Sequence, residues 1–269
     1  MRPFALASCA MLAACATGTP PPAGPRAFEL APPVRELAAA AAPAQPARLL
    51  RAYALSIETV GAGPAAHVDV LGRQARLPGG LLVSVTGSRA PGAFGMTRSL
   101  GLCGLVSLRL DTALAPRPHI PADPARAGDI RFTDAARLDV GTRMQAIDLR
   151  IDGAPCAPRA AEPFTVAVQT RSEVLGPGGP GGEPASRGAL AEARYECIPA
   201  PAPEPASALH PDLPGDMLRV ECRREAMPGG ASGHLSYAWI ASSAVYLLTG
   251  HRGQDIAQNY VYTDVVLDP

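Results

Sequence analysis

Ile147-Asp148-Leu149-Arg150-Ile151-Asp152 alternates an aliphatic side chain with a charged one along its whole length. Successive side chains of a β-strand point to opposite faces, so this stretch puts its aliphatics on one side and its charges on the other. A helix would scatter the same residues around its circumference. The stretch therefore reads as a half-buried antiparallel strand. Working outward, the same period recurs at Tyr53, Leu55 and Ile57, at Val106, Leu108 and Leu110, at Phe164, Val166 and Val168, and at Leu218, Val220 and Cys222. Clusters at Pro78-Gly79-Gly80, Pro91-Gly92 and Pro228-Gly229-Gly230 mark turns between such runs. No sustained helical period follows residue 50, although Ala185 to Arg194 has room for a turn or two of helix. About ten to twelve short strands over residues 51–269 predict an all-β fold. The expected architecture is an antiparallel β-sandwich, or two small packed β-subdomains divided near residues 153–162.

Residues 15–50 have a different composition. Pro20-Pro21-Pro22, Pro25, Pro32, Pro33, Pro43 and Pro46 are set among alanines. Such a segment buries too little apolar surface to offset its chain entropy, so it is expected to be a disordered Pro/Ala-rich tether. Within it, Val34-Arg35-Glu36-Leu37 and the alanines to Ala42 permit a short helix, marginal unless it docks.

Ahead of the tether, Arg2 precedes the apolar run Phe4–Met11, which leads into Leu12-Ala13-Ala14-Cys15. The run to Ala14 is about eleven residues, whereas a bilayer span needs about 20. The arrangement resembles the signal peptide and lipobox of bacterial lipoproteins. That resemblance implies a signal peptide over residues 1–14, a lipidated Cys15, and a membrane partner engaged through the N-terminal lipid. Ala16 stands where an aspartate would favour inner-membrane retention, so the expected location is the outer membrane, facing the periplasm or the cell surface. The alternative is an ordinary secretory signal cut at an Ala-x-Ala-like site, with Cys15 incidental.

Cys9 would be lost with the signal and Cys15 taken by lipid, leaving Cys103, Cys156, Cys197 and Cys222 to pair in an oxidising compartment. Four cysteines allow three pairings. Cys197–Cys222 is expected because both lie on alternating strands joined by one loop, and Cys103–Cys156 follows by elimination. There is no Cys-x-x-Cys and no histidine within a few residues of these four, so no metal site is expected.

Composition narrows the chemistry further. The chain has no lysine; its 24 basic residues are arginines, balanced by 24 acids. Schiff-base chemistry, a Walker A phosphate loop and a serine–lysine dyad are thereby excluded, and nucleic-acid binding has no electrostatic basis. Gly176-Pro177-Gly178-Gly179-Pro180-Gly181-Gly182 is not a phosphate cradle, because Pro177 and Pro180 lack the amides that would face a phosphate. It reads as a surface hairpin loop.

His234, Ser236, His251, Asp255 and Asp264 are the densest polar group, from which a Ser–His–Asp arrangement can be assembled only if the fold converges them. No Gly-x-Ser-x-Gly or His-Glu-x-x-His accompanies them. Tyr237, Trp239, Tyr246, Tyr260 and Tyr262 concentrate aromatic surface in the last strands, for cross-strand packing or for a binding surface. The functional expectation is an envelope lipoprotein whose non-catalytic β-domain, without a cofactor, binds or supports an envelope protein or polymer. A periplasmic hydrolase using the C-terminal cluster is the alternative.

Overall fold

The computed structural model describes residues 30–42, 48–61, 66–77, 79–90, 93–113, 140–175, 184–227 and 232–268. The segment expected to be a signal peptide, Cys15 and residues 176–182, read above as a hairpin loop, lie outside the described residues. In chain order the elements are α1 (Pro32–Ala41), β1 (Leu50–Gly61), β2 (Ala66–Arg76), β3 (Leu82–Ala90), β4 (Ala93–Leu102), β5 (Val106–Ala113) and β6 (Val140–Asp152). They continue with β7 (Phe164–Leu175), β8 (Pro184–Pro199), the two-residue β9 (Glu204–Pro205), β10 (Asp216–Met227), β11 (Gly233–Ile240), β12 (Val245–Arg252) and β13 (Ile256–Leu267).

Every pairing is antiparallel, and the sheet closes on itself because β1 pairs with both β2 and β13. The protein is all-β, but it is a closed barrel of twelve strands, with β9 a short addition along β10, and not the expected sandwich. Nor is it two subdomains: β6 and β7, on either side of residues 153–163, pair from Thr142↔Val174 to Asp152↔Thr165 within one sheet. Alternation along a strand states which face is apolar; it says nothing of which strands pair, and closure leaves no edge exposed. The stretch Ala185–Arg194, with room for a helical turn, is part of β8.

The barrel is not an open tube. β12 pairs with β13 only from Gly250 to Arg252, and its first half leaves the wall. There the Tyr246 N–H donates to the Cys103 carbonyl (2.8 Å) and the Tyr246 hydroxyl to the Pro155 carbonyl (2.6 Å), tying β12 to the β4–β5 turn and the β6–β7 loop. The β11–β12 hairpin thus divides the interior. Tyr237, Trp239 and Tyr246 on one face pack with Phe164, Val166 and the four cysteines. Ala238, Ile240, Val245 and Leu247 on the other pack with Tyr53, Leu55, Leu82 and Tyr262.

Both expected disulfides are present. Cys197–Cys222 joins directly opposed residues of β8 and β10, and Cys103–Cys156 ties the β4–β5 turn to the β6–β7 loop. Each contributes about 2–4 kcal/mol by restricting the unfolded chain.

α1 begins with Pro32 and Pro33, where missing amides cost nothing, and buries Val34 and Ala38 while packing against β6. A ten-residue helix is unstable alone, so docking is what holds it. This part of the expected tether is therefore a fixed part of the domain.

The outward faces of β6, β8 and β10 carry exposed ion pairs: Arg150 with Asp148 and Glu192, Arg194 with Glu196, and Arg223 with Glu225. Arginines on a lipid-facing wall cost up to about 2–4 kcal/mol each at the bilayer midplane, so this wall faces water. Among the described residues no helix is long and apolar enough to cross a membrane. On β4–β6 the corresponding face is buried, contrary to the half-exposed expectation for Val106–Asp111. Asp111, fully buried, accepts hydrogen bonds from Arg98 (2.5 Å), Arg143 (3.0 Å) and Arg109 (3.3 Å).

Candidate functional site

Between β1–β5 and the displaced half of β12 lies a cavity of about 240 Å³ inside the barrel. Its walls follow from register. Tyr53, Leu55 and Ile57 alternate to one face of β1; Tyr53 opposes Gly72, Gly72 opposes Thr86, and Thr86 opposes Thr97, so all share the lumen face. One residue pair further along, Gln74 opposes Ser84 and Ser84 opposes Ser99. Tyr260 and Tyr262 enter from β13, opposite Ile57 and Leu55. Gly72 is required here: a Cβ on it would fall 2.1 Å from the Tyr53 ring, which lies directly on the glycine.

The lining is apolar and aromatic, with hydroxyls from Ser84, Thr86, Ser99 and Ser107 and one amide, Gln74; among the described residues no charged side chain contributes. Tyr53 and Tyr262 meet edge to face with ring centroids 5.9 Å apart. Burial pushes the Tyr53 phenol up to about 12, a rise that its hydrogen bond with Gln74 partly offsets. Burial also raises Tyr246, Tyr260 and Tyr262. All four phenols are therefore neutral at physiological pH. They supply surface and hydrogen bonds, and they are poorly suited to proton transfer.

The C-terminal cluster is split between two faces. Ser236 and His234 sit opposite Glu221 and Arg223 on the outward face, whereas His251 sits opposite the buried Leu235. The Ser236 hydroxyl donates to Glu221 Oε2 (2.8 Å). His251 Nδ1 meets Gln258 Oε1 (3.3 Å), which also accepts from Tyr260. Asp255 lies in the β12–β13 turn, and Asp264 opposes Ala54 on β1. Among the described residues, neither histidine is hydrogen-bonded to Ser236, Asp255 or Asp264. His234 and His251 line two wide clefts at the end of β12, one together with Asp255 and the other together with Ser236 and Tyr260, the last of which also lines the cavity. Among the described residues no three His, Cys, Asp or Glu side chains converge as a metal would require.

The aromatic group divides as well. Tyr237 and Trp239 are core; Tyr237 meets Tyr246 edge to face and Trp239 meets it tilted, at centroid distances of 5.7 and 4.8 Å. Tyr246, Tyr260 and Tyr262 line the cavity. Tyr53, Gln74, Ser84, Thr86 and Ser99 were not singled out by sequence, and no short motif links them. Their common signal is register alone.

No family model, curated protein or solved structure matches the chain.

Proposed function

We propose that this chain is a membrane-anchored envelope lipoprotein whose barrel is a non-catalytic binding domain for a small molecule. The observation that carries the binding reading is the charge-free, four-tyrosine cavity inside the barrel wall. Internal cavities of small barrels are where such folds hold ligands, with a few polar groups fixing orientation. The anchor rests on Leu12-Ala13-Ala14-Cys15 and its apolar approach. The charged outward wall supports a domain held in water beside the membrane rather than within it.

Expression of the full chain in a Gram-negative host tests both parts. Wild type should take up labelled palmitate and sediment with membranes, and Cys15→Ala should lose the label and appear in the soluble periplasmic fraction. Native mass spectrometry of that soluble protein should show added mass from one neutral small molecule that is released on unfolding. Identical sedimentation and labelling of the two forms would overturn the anchor. A mass that never exceeds that of the bare chain, even after incubation with envelope extract, would overturn the binding reading.

A further inference from the structure

The cavity holds one polar group whose bonding is incomplete. Gln74 is 8% exposed, lines the cavity, and its Oε1 has no hydrogen-bond partner. The side chain is hydrogen-bonded to Tyr53, and because Oε1 takes no part in that bond the amide N–H₂ makes it. The carbonyl is left as an acceptor. A buried acceptor without a partner is costly, and native proteins leave few of them. Among the described residues none donates to it, which leaves room for a donor from an occupant of the cavity.

Two further observations limit that occupant. The lining carries no charge, so an ionised ligand would lose its hydration without a counter-charge. The volume, about 240 Å³, corresponds to roughly eight waters at about 30 Å³ each, below the usual range for drug-sized ligands. Tyr53, Tyr260 and Tyr262 offer ring edges and faces for an aromatic body. We infer that the cavity binds a small neutral aromatic molecule of about ten non-hydrogen atoms that donates one N–H or O–H to Gln74 Oε1. This inference rests on the binding reading above and specifies its ligand class.

Three probes of nearly equal shape separate the two claims. Indole carries an N–H donor, indene carries none, and benzofuran carries an acceptor. Calorimetric titration of the soluble full-length Cys15→Ala protein should give indole at least about tenfold tighter binding than either of the others. Adding Gln74→Met, which keeps the volume and removes the amide, should bring the three within about twofold by weakening indole. Equal binding of all three to the Gln74 protein would overturn the donor requirement while leaving a binding cavity. Tighter benzofuran would overturn it as well, by assigning the free end of the amide to its N–H₂. No binding of any probe would overturn the cavity reading itself. If the Gln74→Met protein does not fold, judged by its thermal transition, the ratio between probes on the Gln74 protein decides alone.

Discussion

The β7–β8–β10 wall and the β4–β5–β6 wall both alternate apolar with charged residues, yet their outer faces are opposite in character. On the first, Phe164, Val166 and Val168 point inward, and Arg194, Glu196, Glu221 and Arg223 stand in solvent, as period-two alternation predicts. On the second, Arg98, Arg109 and Asp111 alternate just as regularly, yet all three are buried. The same pattern of charges therefore reports a solvent face in one place and a covered ionic cluster in the other. What differs is the company of the charges: Asp111 gathers Arg98, Arg109 and Arg143, and the neighbours of Arg98 on the same face, Val85 and Leu100, are buried as well.

The difference should be largest at Asp111. Replacement by Asn leaves Arg98, Arg109 and Arg143 buried without their shared counter-charge, and urea unfolding should show a loss of about 3–5 kcal/mol. Burial alone would raise this carboxyl, but hydrogen bonds and charge from the arginines outweigh it and hold it below the ordinary carboxylate range. A depressed folded-state value means the stabilisation is present above the unfolded pKa of about 3.9 and is lost as pH falls through the folded value. The gap between wild type and Asp111→Asn should therefore be full at neutral pH and shrink in strongly acidic buffer. A gap independent of pH would mean that Asp111 acts through packing alone.

An intermediate effect is expected from the staple of the other wall. Cys197→Ser with Cys222→Ser should cost about 2–4 kcal/mol, measured in the same unfolding assay under non-reducing conditions. The smallest effect belongs to the exposed pairs. Glu192→Gln removes a partner 3.2 Å from Arg150, and both side chains are more than two-fifths exposed, so the midpoint should move by no more than about 0.5 kcal/mol. A loss at Glu192 comparable with that at Asp111 would erase the distinction between the two walls.

The strands were legible because alternation is local: each of the five quoted runs lies in a strand of the barrel. Even so, Ile147, the first aliphatic of the deciding stretch, sits at a bulge between Ala146 and Asp148, so the alternation that places Leu149 and Ile151 inward restarts after it. The disulfides were legible because Cys197 and Cys222 flank one loop and therefore had a short route to opposite positions. The cavity was not legible. Ser84 and Thr86 alternate with Val83 and Val85, a pattern that places serine and threonine toward water. Register puts them inside, on the face of Tyr53, while Val83 and Val85, on the other face, are buried too. The Ser–His–Asp set was no more legible: Ser236 and His251 line one cleft, but Ser236 donates to Glu221 and His251 meets Gln258.

Sequence by itself determined the antiparallel strands, the absence of lysine chemistry, the even set of four pairing cysteines and the lipobox-like N-terminus. These follow from residue type and from spacings shorter than one hairpin. Only the tertiary structure decided that β1 closes onto β13, that the β11–β12 hairpin turns inward, and that Gln74 meets a cavity from which its carbonyl receives nothing. Those are pairings between residues as distant as Leu50 and Leu267. Such contacts are selected by the free energy of burying two faces together, and no period within either strand encodes it.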